Sequence, residues 1–343
     1  MPLSLAGAVG ALADTAGLQP NDARIAQRIE DLQDLLSEDL ESVERATAAV
    51  AEQGAAPATD AARHLISGGG KRIRPLALLL SAACFGSVPS VARDLAVVAE
   101  LVHSATLLHD DVIDEGQERR GTPTARRVWG NAVSVLAGDL VLVHALQRTV
   151  DHAPETLPDL LRTLRCLVDG EVVQLRGRSR LDLSEATYER ILRDKTASLF
   201  RWATRTGARV AGATPNQQEQ LAEFGERLGI AFQLVDDVLD YSGERSGKSL
   251  LVDLSEGKMT LPLVLAVRHR PELEEQVRRI HAGDAGPVAD VSRTVVESGA
   301  CEEVRRRARQ FTERAVAALA DVGPGPARSL LEEVAYQLSE RAA

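Results

Sequence analysis

Apolar residues recur at steps of three and four along nearly the whole chain, and at two places such a run leads into the same acidic cluster. Val91, Leu95, Val98, Val102, Ala105 and Leu108 lead into Asp110-Asp111-Val112-Ile113-Asp114. Leu221, Phe224, Leu228, Ala231 and Val235 lead into Asp236-Asp237-Val238-Leu239-Asp240. That period belongs to amphipathic helices and excludes the alternation of half-buried strands. Hydrophobic residues make up 44% of the 343 and aromatics only 3%, so the core must be Leu, Val and Ala, as in packed helices. The expected class is all-α. No Pro- or Ser-rich linker divides the sequence, so a single helical domain is expected over 21–343, behind a loose Ala/Gly-rich arm at 1–20.

Within each cluster the aspartates stand at i, i+1 and i+4. On a helix the first and last lie one above the other, with the middle one about 100° round. Gly116 and Gly243 are the expected stops just beyond. Both claws then sit at negative helix C-termini, where each uncompensated acid costs roughly 0.3–1 kcal/mol, so a cation is expected. Hard oxygen ligands without His or Cys in ligand spacing point to Mg²⁺, which binds through one or two carboxylates and a substrate's phosphates. One copy alone would read as a solvated helix end; two copies with matching flanks do not.

The basic residues are arranged to match. Ser67-Gly68-Gly69-Gly70-Lys71-Arg72-Ile73-Arg74-Pro75 is a Gly-rich turn into a new helix, a form suited to anions. Arg119 and Arg120 follow the first claw and can hold diphosphate oxygens through paired hydrogen bonds. Of 40 Lys plus Arg, lysine occurs only at Lys71, Lys195, Lys248 and Lys258. Each of the four lies in a Gly-rich turn or beside Thr196, where a compact point charge on a flexible stem is useful. Gly247-Lys248-Ser249 is not a P-loop, because Ser242 stands where the first glycine should be and no strand precedes it. The arginine run at 305–309 reads as a solvated helix face. Trp129–Gln147 is expected to be one helix carrying Gly138-Asp139, and Asp194-Lys195-Thr196-Ala197 to begin another.

A formal net charge of −10 argues against a nucleic-acid footprint. Cys84, Cys166 and Cys301 are few, distant and odd in number, which suggests reduced core thiols in a cytoplasmic protein. The longest uncharged run, Pro75 to Ala92, is broken by Gly86 and Pro89 and is short for a membrane span, so no integral membrane segment is expected.

Taken together, GGGKRIRP, HSATLLHDDVIDEGQERRG, GEVVQL, KTASLF, FQLVDDVLDYSG and GKSLLVDLSEGKMTLP follow one another in an order that resembles the trans-isoprenyl diphosphate synthases of the polyprenyl synthetase family. The resemblance covers about Gly68 to Pro262. It implies a helical bundle of the isoprenoid synthase type around a deep apolar central cavity, and a homodimer, with peripheral membrane contact for product release. It implies head-to-tail condensation of isopentenyl diphosphate onto an allylic diphosphate of the farnesyl or geranylgeranyl type. Three Mg²⁺ would be held by Asp110, Asp111, Asp114, Asp236, Asp237 and Asp240, though not every middle aspartate need touch metal, and Mn²⁺ would substitute. Arg119, Lys195, Thr196, Gln233, Lys248 and Lys258 would bind the allylic diphosphate. Gly70, Lys71, Arg74, His103 and Arg120 would bind isopentenyl diphosphate. Asp110, Asp114, Asp236, Lys195 and Lys248 would carry the catalysis.

Small residues at Ala105 and Thr106, where family members with short products carry bulky aromatics, resemble the long-chain, octaprenyl type; a geranylgeranyl- or farnesyl-length product is the alternative. Two other classes compete. His109-Asp110 resembles HD-type metal phosphohydrolases, which need further histidines and leave the second claw unexplained. A non-catalytic regulatory subunit of a heteromeric synthase would be expected to have lost claw aspartates, and both claws are whole.

Overall fold

The computed structural model describes residues 23–241, 254 and 257–340. The expected arm at 1–20, Gly243 and Lys248 lie outside them. The architecture is helical throughout, as the apolar period requires. In order the helices are α1 (Ala23–Val50), α2 (Ala58–Ser67), α3 (Ile73–Ala83), α4 (Ser90–Ile113), α5 (Ala125–Trp129) and α6 (Asn131–His152). Then come α7 (Leu157–Arg180), α8 (Glu185–Ile191), a π-turn (Leu192–Ala197), α9 (Ser198–Val210) and α10 (Pro215–Leu239). The C-terminal part holds α11 (Leu261–His269), α12 (Leu273–His281), α13 (Val288–Glu297), α14 (Ala300–Ala318) and α15 (Pro326–Glu340).

The chain forms two compact units. The first comprises Met1–Leu161, Trp202–Ala222 and Ala320–Glu333. It is organised around α4, which packs against α6, α3 and α1. From Leu95 to Val102 every residue of α4 is buried, on all sides of the helix. A helix apolar all round belongs in a core, and Glu100 is the one ionisable group in that stretch. The second unit comprises Arg162–Arg201, Glu223–Leu319 and Val334–Ala343. Its core joins Leu192, Leu234, Val235 and Val238 to Leu261, Leu263, Val264 and Leu265 of α11, which packs on α14 and α8.

Three local features differ from the sequence expectation. Trp129–Gln147 is two helices, broken where Gly130 takes φ 86°. The α4 stop is made by Glu115 in the left-handed region at φ 54°, after which Gly116 N–H donates to the Asp111 carbonyl at 2.9 Å. A small antiparallel hairpin, β1 (Glu118–Arg119) with β2 (Thr122–Pro123), interrupts the helices. Its turn residues Arg120 and Gly121 have φ of 53° and 75°, the primed form that matches strand twist.

Among the described residues α6 is long and apolar enough to cross a membrane by length and composition, although it carries Asp139 and Arg148 within it. One third of its apolar window (33%) is buried inside the protein. The three cysteines are unpaired, and burial pushes the Cys84 thiol up to about 12 and Cys301 to about 11.

Candidate functional site

In the first unit, the last turn of α4 carries Asp110 and Asp111, and Asp114 is its C-cap. Asp111 points inward with a side chain 4% exposed, and its Oδ1 accepts from Arg119 Nε at 3.0 Å and Nη2 at 2.8 Å. Its Oδ2 is buried and accepts no hydrogen bond among the described residues. Burial raises the Asp111 carboxyl above the ordinary carboxylate range; the Arg119 contact opposes this, and Asp110 and Asp114 add to it. A buried orphan oxygen beside two like charges fits a site that a divalent cation completes. Among the described residues no group of three or more acidic, His or Cys side chains is gathered closely enough to cage an ion by itself. Protein carboxylates sharing Mg²⁺ with phosphate oxygens would need no such cage.

The helix that bears this motif is seated by the residue before it. His109 Nε2 lies 3.2 Å from the Val135 carbonyl and 3.3 Å from Asp139 Oδ1, both on α6. Gly138 makes room for the ring: a Cβ there would fall 2.3 Å from His109 Nε2. Gly138-Asp139 therefore supports the first acidic motif by admitting and holding His109.

Beside the motif lies a basic group. The hairpin turn sends adjacent arginines different ways, Arg119 to Asp111 and Arg120 to the Gly-rich turn, where its guanidinium nitrogens lie 3.3 Å from the position of a Gly70 Cβ. Lys71 precedes α3, Arg72 caps it with φ 48°, and Arg74 stands in its first turn. His103, one turn beyond Glu100, is held well below its ordinary pKa by burial, then by Arg74, Arg120, Arg119 and Arg72. These causes favour the neutral ring, which can donate one N–H. The structure thus gathers Arg74, His103, Arg119 and Arg120 into one cationic region, with Gly70 at its edge.

In the second unit the π-turn displays Lys195 and Thr196. Its wider i→i+5 bonding is a form frequent at functional positions, and the expected helix start at Asp194 is in fact this bulge between α8 and α9. Lys195 Nζ pairs with Glu171 of α7. From Thr196 a chain of hydrogen bonds runs inward. Thr196 Oγ1 donates to Gln233 Oε1 at 3.2 Å, and Gln233 Nε2 donates to Asp237 Oδ1 at 2.9 Å. Asp237 Oδ2 also accepts from Tyr188 Oη at 2.7 Å and from Leu261 N–H at 3.4 Å. Asp237 is 4% exposed, so its carboxylate is committed to α8, α10 and α11. Asp236 and Asp240 flank it, partly buried, and Lys258 lies shortly before α11. Tyr188 and Glu100 were not identified from the sequence. Tyr188 carries no motif signal, and Glu100 sits at an ordinary position of a helix whose burial only the fold reveals.

Comparison with known proteins adds the following. The profile of the polyprenyl synthetase family matches residues 56–298. The octaprenyl diphosphate synthase of Escherichia coli (strain K12) is 38% identical over 284 residues, covering 81% of this chain and 88% of that protein. The all-trans-nonaprenyl-diphosphate synthase (geranyl-diphosphate specific) of Rhodobacter capsulatus is 40% identical over 263 residues, 75% of this chain and 81% of that one. The crystal structure of a polyprenyl synthase from Caulobacter crescentus CB15, complexed with calcium and isoprenyl diphosphate, superposes with a TM-score of 0.85 at 37% identity, over 92% of this chain and 98% of that one.

Proposed function

Because the chain belongs to the polyprenyl synthetase family, we infer that it is a prenyltransferase that extends an allylic diphosphate with isopentenyl diphosphate to a long-chain trans-polyprenyl diphosphate. The observation that carries the reading is the inward Asp111 carboxylate, with one oxygen on Arg119 and the other without a partner, beside a cationic region that can take a diphosphate. Octaprenyl and nonaprenyl diphosphate synthases among its relatives support the long product.

The residues divide the work as follows. Asp110, Asp111 and Asp114 would hold divalent cations in the first unit, and Asp236, Asp237 and Asp240 in the second; the calcium in the Caulobacter complex supports a metal of that kind. When bound, Mg²⁺ supplies charge neutralisation for the leaving diphosphate. Arg119 in the first unit, and Lys195 in the second with Thr196 and Gln233 orienting its bond donors, are assigned to the allylic diphosphate, as are Lys248 and Lys258. Lys71, Arg74, His103 and Arg120 bind isopentenyl diphosphate, and Gly70 keeps the turn close. Holding that alkene against the ionising allylic carbon makes the attack effectively intramolecular. The C–O bond to diphosphate breaks, the new C–C bond forms, and a proton leaves from the carbon next to the resulting cation, to the released diphosphate. Apolar walls keep water from that cation.

Product length is set by how far the growing chain can descend beside α4. Ala105 is buried and Thr106 turns its hydroxyl back to the His103 carbonyl at 2.8 Å, so neither projects bulk. Ala105→Phe is expected to shift products to shorter chains, read by chromatography of labelled products; an unchanged distribution would place the stop elsewhere. The same assay on wild-type protein alone, with isopentenyl diphosphate, a farnesyl or geranylgeranyl primer and Mg²⁺, tests the function. Phosphate release without elongation would contradict it, as would a requirement for a second polypeptide.

The family's homodimer has a suitable face here. On α6, Leu136, Val143 and Val150 recur every seven residues and are 58%, 59% and 46% exposed. Heptad spacing of aliphatic residues suits pairing with a second copy. Leu136→Glu with Val143→Glu is expected to halve the mass found by sedimentation; an unchanged mass would move the interface away from α6.

A further inference from the structure

The cationic region contains an acid that the reaction does not use. Glu100 lies in the fully buried stretch of α4, 5% exposed, among Ala96, Val97, Val98, Ala99, Leu101 and Val102. A carboxylate there is stable only with a committed partner. The partner is Arg72, whose Nη1 bonds Glu100 Oε1. The Arg72 side chain is itself 6% exposed. Its other nitrogens are used as well: Nε donates to Glu44 Oε1 at 2.7 Å, and Nη2 donates to the Ile66 carbonyl at 3.3 Å. Arg72 holds the left-handed backbone at φ 48° that turns the Gly-rich loop into α3.

Arg72 and Arg120 meet across one glycine. A Cβ at Gly70 would lie 3.3 Å from Arg120 Nη1 and Nη2 and 3.3 Å from Arg72 Nη1. Two guanidiniums this close, with Arg74 and Arg119 nearby, repel one another unless an anion stands among them. Beside Glu44, which also bonds Arg72, the buried anion among them is Glu100. It bonds Arg72, and while burial, with Arg119 and Arg72, holds the Arg120 guanidinium below its ordinary pKa, Glu100 is the group whose charge opposes them.

We propose that Glu100 is a positioning residue for isopentenyl diphosphate: fixed by Arg72, its carboxylate acts as resident counter-ion and holds Arg120 over Gly70 in a conformation ready for the substrate's phosphates. It does not touch substrate and acts through Arg120. This rests on the prenyl-transfer reading above.

The position of Glu100 separates two effects of opposite sign. If its charge acted only at a distance, removing it would make the pocket more positive and tighten anion binding. If it positions Arg120, removing it weakens binding. In Glu100→Gln the KM for isopentenyl diphosphate is expected to rise by about tenfold or more, the order seen when a supporting residue behind a binding group is lost. The KM for the allylic primer, the Mg²⁺ requirement and kcat at saturation should stay within about twofold, because the second-motif residues are untouched. A lowered or unchanged KM for isopentenyl diphosphate would overturn the proposal. So would equal losses for both substrates, which would mark a general loss of structure.

Should Glu100→Gln fail to fold because it strands Arg72, the double variant Arg72→Met, Glu100→Leu removes the two buried charges together, a change that buried pairs tolerate, and leaves the partly exposed Glu44 to solvent. It is expected to show the same selective rise, and wild-type KM in it would overturn the proposal. Elongation by the wild type alongside keeps this result separate from the function itself. If the wild type elongates and Glu100→Gln is unaffected, only the role of Glu100 falls.

Discussion

Asp110→Ala is expected to lower turnover by at least about 10²–10³-fold, the loss that follows removal of one element of charge stabilisation at a developing anion. Asp236→Ala should behave alike, since the second motif repeats the first. The opposite result is expected for stability. Asp110 lies in the last turn of α4 and Asp236 in the last turn of α10. There each acid opposes the helix dipole at a cost of roughly 0.3–1 kcal/mol, which offsets the partners it loses, so its removal should leave the melting temperature close to that of the wild type. Rates with labelled isopentenyl diphosphate and thermal melts by circular dichroism make the comparison. Near-wild-type turnover in both variants would remove these residues from the metal site. Loss of activity together with a falling melting temperature would make their role structural.

The second large effect concerns Asp237, where the order is reversed. Asp237→Ala strands Tyr188 Oη, Gln233 Nε2 and Leu261 N–H, all of which donate to its carboxylate. Each buried donor left without an acceptor costs about 1–3 kcal/mol, so several kcal/mol of stability should be lost and the melting temperature should fall by roughly 5–10 °C. Turnover should fall as well, because Thr196 is held through Gln233. Asp237→Asn is far milder on structure. Its amide oxygen can serve Tyr188 and Leu261, and a flip of Gln233 restores the bonds to the new amide and to Thr196. If Asn keeps both stability and turnover, Asp237 is a structural hub. If Asn keeps stability and loses turnover, its charge is required at the metal.

The contrast between the two motifs shows what a sequence can carry. The apolar periods before Asp110 and Asp236 are long and regular, so α4 and α10 and their acidic ends were legible, as was the Gly-rich turn into α3. Identical spacing did not reveal that the middle aspartates are committed inward, Asp111 to Arg119 and Asp237 to Tyr188, because those partners arrive from a hairpin and from another helix. Glu100 was invisible for a related reason. In an isolated helix one acid among apolar residues looks solvated, and only the packing of α1, α3 and α6 around α4 makes it buried. Gly130, Glu115 and the π-turn were missed because each is a local backbone choice made by tertiary context, one of them by a non-glycine residue in the left-handed region.

The two-residue turn at Arg120-Gly121 leaves little freedom for change. Side chains along a strand alternate in direction, so a one-residue insertion or deletion in that turn would exchange neighbours' facings. Arg119 would then leave Asp111 while Arg120 left Gly70, and both halves of the basic region would be lost in one step. Substitutions on the hairpin can be absorbed singly, but its length cannot drift.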